Sequence, residues 1–287
     1  MVILQLSGGL GNQMFEYALY LSLRAKGKRV KIDDVSDYRT PDRRPVQLSV
    51  FDADYERASE EEVIRYTDSS LSPLSRIRRK LTGRKSLLYR EKDMEYDETV
   101  FERDPVYLTG FFQSEKYFAD VKEEVRRRLT FSERVKAELP ESGREILTRI
   151  EAGPSVSVHV RRGDYLHASH NGMYEGICTV DYYRKAMAQI REKEPEAVFF
   201  LFSNDMEWTK EHLAGPDCVP VEGGSEEKGY LDLYLMSRCR HNIIANSSFS
   251  WWGAWLNGNP EKQVIAPARW INGRECRDIY TEGMIRI

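Results

Sequence analysis

The sequence has no apolar run long enough to cross a bilayer. Met1–Leu6 runs straight into Ser7-Gly8-Gly9, with no basic stretch before it. A membrane span needs about 20 apolar residues and a secretion signal a basic leader, so neither is expected. Cysteine is scarce: Cys178, Cys218, Cys239 and Cys276 stand far apart, without a CxxC pair. That removes zinc spacing and points to free thiols in a reducing, cytoplasmic compartment. Neither sign of charge dominates, with 43 basic against 46 acidic residues and a net of -3. General nucleic-acid binders carry a basic excess, so nucleic acid is not an expected partner. The local exception is Arg76, Arg78, Arg79, Lys80, Arg84 and Lys85. Such a run reads first as a solvated helix face or mobile loop, and second as a weak contact for an anionic membrane surface. Internal repeats and low-complexity tracts are missing too. What is present, 287 residues with 41% hydrophobic and 31% charged, suits one large or two ordinary globular domains.

Val2–Leu6 predicts a strand, Gly8-Gly9-Leu10-Gly11 a turn, and the spacing of Met14, Phe15, Ala18, Leu19, Leu21 and Leu23 an amphipathic helix ending at Lys26-Gly27. Val30–Ile32 predicts a second strand closing on Asp33-Asp34. Strand, glycine turn, helix and strand form one βαβ unit, which favours a parallel sheet. Residues 41–104 are polar and irregular, with helices expected near Ser59–Tyr66 and Pro73–Leu81. Val106–Phe112 reads as a strand and turn, followed by a helix over Glu115–Leu129. A second α/β pattern begins after Gly153-Pro154. Strands are expected at Ser155–Val160, Val198–Phe202, Asn242–Ala245 and, last, Gln263–Ala266, with helices at Val180–Lys193, Leu231–Cys239 and Ser247–Leu256. The expected fold class is α/β: two Rossmann-like domains, 1–148 and 149–287, with parallel sheets facing across a cleft.

Ligands of open α/β sheets bind beyond the carboxyl ends of the strands, and polar clusters stand at such ends. In His159-Val160-Arg161-Arg162-Gly163-Asp164-Tyr165, adjacent arginines leave a strand on opposite sides, so one can enter a cleft while the other turns to the domain body. A guanidinium offers phosphate a permanent, bidentate charge. Gly163 lets the backbone turn and Asp164 can hold an arginine; a structural Arg–Asp bridge is the plainer alternative. Ser203-Asn204-Asp205 suits a base edge or a ribose, but reads first as a turn and helix N-cap. In Asn246-Ser247-Ser248-Phe249-Ser250-Trp251-Trp252-Gly253, small hydroxyl residues at a helix start expose backbone N–H groups and the positive dipole end, a phosphate site. The tryptophans read as core rather than as a sugar platform. Gly8, Gly9 and Gly11, with Asp33 or Asp34 about twenty residues on, imitate a dinucleotide fingerprint, but Met14 stands where a third glycine belongs, and Asn12 and Gln13 look aimed at a ligand.

Together these motifs resemble glycosyltransferase family 11, whose characterised members are chiefly α-1,2-fucosyltransferases. The matching pieces are Gly8–Phe15, His159–Tyr165, Ser203–Asp205 and Asn246–Leu256, in the same order over nearly the whole chain. The arginine motif is also similar to that of α-1,6- and protein O-fucosyltransferases. The resemblance implies a GT-B-like fold with the acceptor on the first domain and GDP-β-L-fucose on the second. It implies inversion to an α-fucoside on the 2-hydroxyl of a terminal galactose, in an oligosaccharide or lipid-linked glycan, with no metal or other cofactor. It places His159, Arg161 and, less directly, Arg162 on the nucleotide and diphosphate, and Ser247, Ser248 and Phe249 around the β-phosphate. Ser203, Asn204 and Asp205 would face guanine or ribose. Gly9, Gly11, Gln13 and Asn12 would lie near the donor, with Asn12 by the sugar and acceptor. Eukaryotic members usually carry a membrane anchor ahead of the domain; its lack here points to a bacterial cytosolic enzyme, in contact with the inner face of the membrane at most peripherally.

The implied catalytic set is Arg161, Asn12 and Asp164. The proton acceptor stays open among Asp164, Asp33, Asp34 and none of them. Competing readings are a metal-dependent GT-A enzyme using Asp52 and Asp54, a nicotinamide oxidoreductase using Gly8–Gly11 and Asp33, and a non-catalytic nucleotide- or glycan-binding module.

Overall fold

The structure, a computed structural model, describes residues 1–39, 45–162, 172–223 and 226–287. The chain divides into two units, 1–130 and 131–287, each built on its own parallel sheet. In the first, β1 (Val2–Gln5) is flanked by β2 (Val30–Asp33) and β4 (Val106–Thr109), with β3 (Leu88–Arg90) at the edge beyond β4. Helix α1 (Leu10–Ala25) connects β1 to β2 and buries Met14, Phe15, Ala18, Leu19 and Leu23, as its spacing dictates.

Helix α2 (Glu60–Thr67) starts at a reciprocal capping pair. Ser59 Oγ accepts from Glu62 N at 3.2 Å, and Ser59 N donates to the Glu62 carboxylate at 2.8 Å. Helix α3 (Pro73–Thr82) is capped by Ser72 and has proline in its first turn. The helix expected over 115–129 is instead a 3-10 segment, Glu115–Val121, followed by α4 (Lys122–Arg128). The break is at Phe118, whose φ of -135° lets its ring stay fully buried against Phe15.

The second unit runs through α5 (Glu133–Ala137), α6 (Glu141–Glu151), β5 (Ser155–Val160), α7 (Val180–Lys193), β6 (Val198–Ser203), α8 (Met206–Leu213) and β7 (Cys218–Pro220). It continues with α9 (Gly229–Arg238), β8 (His241–Ile243), α10 (Ser248–Leu256), β9 (Val264–Ala266) and β10 (Met284–Arg286). Because α6 packs on β5 and α9, it belongs to this unit, and the division falls before the expected 148–149. The six strands lie in the order β10-β9-β8-β5-β6-β7. The first strand in sequence is thus central, and the connection order reverses between β5 and β8. That reversal is the Rossmann switch point, where a crevice opens at the carboxyl ends of the strands.

Candidate active site

Alternation along β5 decides where the polar groups go. Val156, Val158 and Val160 are fully buried and pack with Tyr183, Met187 and Ile190 of α7. The other face carries Ser155, Ser157 and His159. Ser155 Oγ accepts from Arg240 N at 3.1 Å, Ser157 Oγ accepts from Asn242 Nδ2 at 2.7 Å, and the His159 ring lies 5.6 Å from that of Phe249 on α10. Arg162 continues the first face. Its Nε donates to Asp205 at 3.3 Å and its guanidinium lies 3.8 Å from the centroid of the Trp208 ring on α8. Its backbone N–H donates to Asn204 Oδ1 at 2.9 Å. Arg162, expected at the donor, is therefore the arginine turned to the domain body. Arg161, the first residue after β5, is half-exposed. Gly163 and Asp164 lie outside the described residues.

The start of α10 completes this corner. β5 and β8 pair with Val158 opposite Ile243, and the His159–Phe249 contact sets the start of α10 beside the end of β5. Asn246 is buried and fixed: its Nδ2 donates to Trp270 O at 2.9 Å and its Oδ1 accepts from Cys178 Sγ at 3.4 Å. Ser247 is the N-cap residue, yet no side chain caps the helix and no acidic residue stands in its first turn. Ser248 and Phe249 are half-exposed there. A helix start that neutralises its own dipole neither by cap nor by carboxylate is suited to an anion.

Ser203-Asn204-Asp205 is a turn and cap. Asp205 Oδ1 accepts from Trp208 N at 3.2 Å, and Ser203 Oγ accepts from Asp205 N at 2.9 Å. Their polar atoms serve α8 and Arg162; exposed Asn204 is the member best placed to reach a ligand as well. A residue the sequence did not flag stands nearby. Asp232 lies one turn into α9, whose first residue, Gly229, abuts the Phe249 ring. Burial alone pushes the Asp232 carboxyl up to about 7. A Cβ on Gly223 would come within 2.7 Å of its Oδ2, so glycine lets the backbone after β7 pass over it. A first-turn acid in Leu231-Asp232-Leu233 carries no local signal of that burial.

In the first unit, Gly8 takes φ +66°, and a Cβ there would meet Asn12 Nδ2 at 2.6 Å. Asn12 is half-exposed, with its Oδ1 accepting from Gln113 Nε2 at 2.7 Å. Gly9 is the N-cap of α1 and Gly11 lies buried in its first turn. Gln13, expected to face a ligand, does not: it is fully buried, donates to Gly8 O and Pro45 O, and accepts from Gln47 N. It staples the glycine turn to the segment at 45–47. Glu16, also unflagged, accepts from Ser7 N at 2.9 Å and Ser7 Oγ at 2.6 Å, and burial holds its carboxyl well above the usual range.

Asp33 is bonded by Val35 N, Ser36 N and, at 2.6 Å, Tyr107 Oη; Asp34 is bonded by Tyr55 and Arg57. Those bonds give both carboxylates structural work, though Asp34 Oδ1 is buried without a hydrogen-bond partner. Asp54 pairs with Arg128. Among the described residues, no group of three or more His, Cys, Asp or Glu could hold a metal ion. The four cysteines are free thiols, and burial pushes Cys178 up to about 12 and Cys218 to about 11. Among the described residues no helix is long and apolar enough to cross a membrane.

The model of Glycosyl transferase family 11 matches residues 89–285. The O-antigen biosynthesis glycosyltransferase WbnK of Escherichia coli is 30% identical, over 98% of this chain and 99% of its own. An alpha-1,2-colitosyltransferase of the same species is 31% identical, over 100% of this chain and 98% of its own. Galactoside alpha-(1,2)-fucosyltransferase 1 of Rattus norvegicus is 28% identical, over 88% of this chain and 62% of its own. Among solved structures, POFUT1 in complex with GDP matches with a TM-score of 0.52 at 14% identity, covering 93% of this chain and 98% of that one. That likeness concerns the fold, two Rossmann-like units of the GT-B kind. The residues that gather at the β5–β8 switch point are thus set in a chain that belongs to glycosyl transferase family 11.

Proposed function

We propose that this chain is an inverting, metal-independent fucosyltransferase that moves L-fucose from GDP-β-L-fucose to the 2-hydroxyl of a terminal galactose. The observation that carries the reading is the start of α10, without a side-chain cap, set by the His159–Phe249 contact beside the end of β5, which Arg161 follows. Breaking the sugar–phosphate bond leaves growing negative charge on the diphosphate. A fixed guanidinium and the first N–H groups of α10 meet that charge where it develops, the work a divalent cation does in other nucleotide-sugar enzymes. His159 and Phe249 form an aromatic wall beside it. Asp232 supplies two acceptor oxygens, complementary to the N1–H and 2-amino donors of guanine. The acceptor hydroxyl attacks C1 opposite the departing GDP, which inverts the configuration. Asn12 on the first unit orients the acceptor. With Asp33 and Asp34 engaged in the fold, no described carboxylate is assigned as base; weak-base assistance suits a dissociative transition state.

The relationship to an alpha-1,2-colitosyltransferase over the full chain supports a second donor. Colitose is L-fucose without its 3-hydroxyl, so the same diphosphate site serves both. The test offers GDP-fucose and GDP-colitose, in excess EDTA, to a panel of galactosides, with GDP release measured and product linkage analysed. Acceptor-dependent GDP release and an α-1,2 product are expected. Turnover only after manganese is restored, or no cleavage of either donor, removes the proposal. Release of GDP without any product on the acceptor reduces it to hydrolysis.

Two smaller effects are expected. Ser247→Ala loses at most about tenfold in turnover, because the backbone donors persist, and its unfolding temperature stays unchanged, because the hydroxyl makes no cap bond. Asp205→Ala, by contrast, removes a true cap and an Arg162 partner, at about 1–2 kcal/mol of stability. Calorimetric melts of the two variants separate these roles. With the Asp232 carboxyl titrating about 7 in the free chain and guanine binding its ionised form, GDP affinity rises from pH 6 to pH 8. Asp232→Asn flattens that profile. A wild-type affinity that does not change over this range removes Asp232 from the base site.

A further inference from the structure

Helix α3 is turned inside out. At roughly 100° per residue, Ser75, Arg78 and Arg79 share one face, and these are the residues that are partly covered. Arg78 pairs with Asp68, while Arg79 donates to Asp68 O at 3.1 Å and to Ser70 O at 2.6 Å. Just past the helix, Lys85 N donates to the same Asp68 carboxylate at 2.8 Å. The helix is thus docked through polar side chains, and its apolar stripe faces out. Leu74 is 81% exposed, Ile77 58% and Leu81 78%. Leu71, just before the N-cap, and Leu87 and Leu88, in and beside edge strand β3, are exposed too. These six are most of the large exposed apolar side chains among the described residues; only Val35 and Phe111 lie elsewhere.

The charge around the stripe has one sign. From Ser69 to Arg90 there is no acidic residue, while Arg76, Lys80, Arg84, Lys85 and Arg90 remain beyond the two arginines committed to Asp68. Arg76 and Lys80 are exposed beside the leucines, and Arg84 follows in the exposed turn. Contiguous apolar side chains bordered by basic ones match a surface that is itself apolar inside and anionic at its rim. A polyanion alone would use the arginines and leave the leucines in water; a bilayer with anionic headgroups uses both.

We propose that α3 and its flanking turns form an interfacial anchor. Leu74, Ile77 and Leu81 enter the headgroup–acyl boundary of an anionic bilayer while Arg76, Lys80 and Arg84 meet the lipid phosphates. Docking through Asp68 keeps the helix folded before it meets lipid, so no folding cost is added on binding. The anchor holds the chain at the membrane surface whatever the donor sugar, so its test does not depend on the transfer reaction.

The test is cosedimentation of the full chain with vesicles of phosphatidylethanolamine and phosphatidylglycerol, or of phosphatidylcholine alone, at low and high salt. Wild type is expected to sediment with the anionic vesicles and to remain in solution with the neutral ones. Leu74→Ser/Ile77→Ser/Leu81→Ser and Arg76→Gln/Lys80→Gln/Arg84→Gln are each expected to weaken that partitioning about tenfold or more. Both should melt as wild type does, since the altered side chains are exposed and the Asp68 contacts remain. Equal binding to both vesicle types overturns the proposal. So does unaltered binding by the leucine variant, which reduces the contact to plain charge attraction. A wild-type dimer that the leucine variant converts to monomer, without vesicle binding, assigns the stripe to a second copy of the chain instead.

Discussion

Replacing Arg161 by alanine is expected to lower turnover by about a hundredfold or more while the chain still folds. The size follows from its assigned work: one preorganised donor aimed at developing charge contributes ~3 kcal/mol to the barrier. GDP affinity should fall as well, since the diphosphate carries charge before the reaction and gains more during it. Turnover should fall further than affinity, because only the extra transition-state interaction enters kcat. Arg161→Lys restores charge but not the two-pronged guanidinium, so partial recovery is expected. Arg162 is the internal control. Its bonds to Asp205 and its stacking on Trp208 make Arg162→Ala chiefly a stability change, detected in the melt before it is detected in the rate. Full turnover in a folded Arg161→Ala variant, measured beside the Arg162→Ala melt, takes Arg161 out of the mechanism.

That one of the two arginines after β5 turns to the domain body was legible in the sequence, because alternation along a strand is a property of the backbone. Which one served the fold was not, since Asp205 and Trp208 arrive from the next crossover. The long buried strands β5 and β6 and the helices over 10–25, 180–193 and 248–256 were legible for the same reason: periodicity and flanking turns lie within each segment. Three-residue strands at sheet edges were not. β3, β7 and β10 each owe their pairing to a single neighbour, and their local pattern resembles loop. Gln13 misled because a polar side chain at a helix start can bind a ligand or staple its own loop with equal chemistry. Asp232 escaped because its environment is made by Gly223 and by burial, neither of which is adjacent to it in sequence.

The other large effect falls on stability. Trp251→Ala is expected to lower the unfolding free energy by about 4 kcal/mol, a fall of roughly 10 °C in Tm for a unit of this size. Its indole is fully buried, edge-on to Trp252 at 5.0 Å and parallel to Trp255 at 6.3 Å, and its Nε1–H donates to Ile279 O at 2.7 Å. Truncation leaves both a cavity and an unpaired carbonyl. Trp251→Phe, which refills most of the volume, should recover more than half of the loss and leave the cost of that one hydrogen bond, ~1 kcal/mol. Trp251 stands a turn inside α10, so its packing aims the uncapped N–H groups at the switch point. Below the melt, the folded alanine variant should therefore bind GDP less tightly, while its KM for the galactoside stays unchanged, because a ring with no exposed surface cannot serve as a sugar platform. A raised acceptor KM with normal stability reverses that assignment.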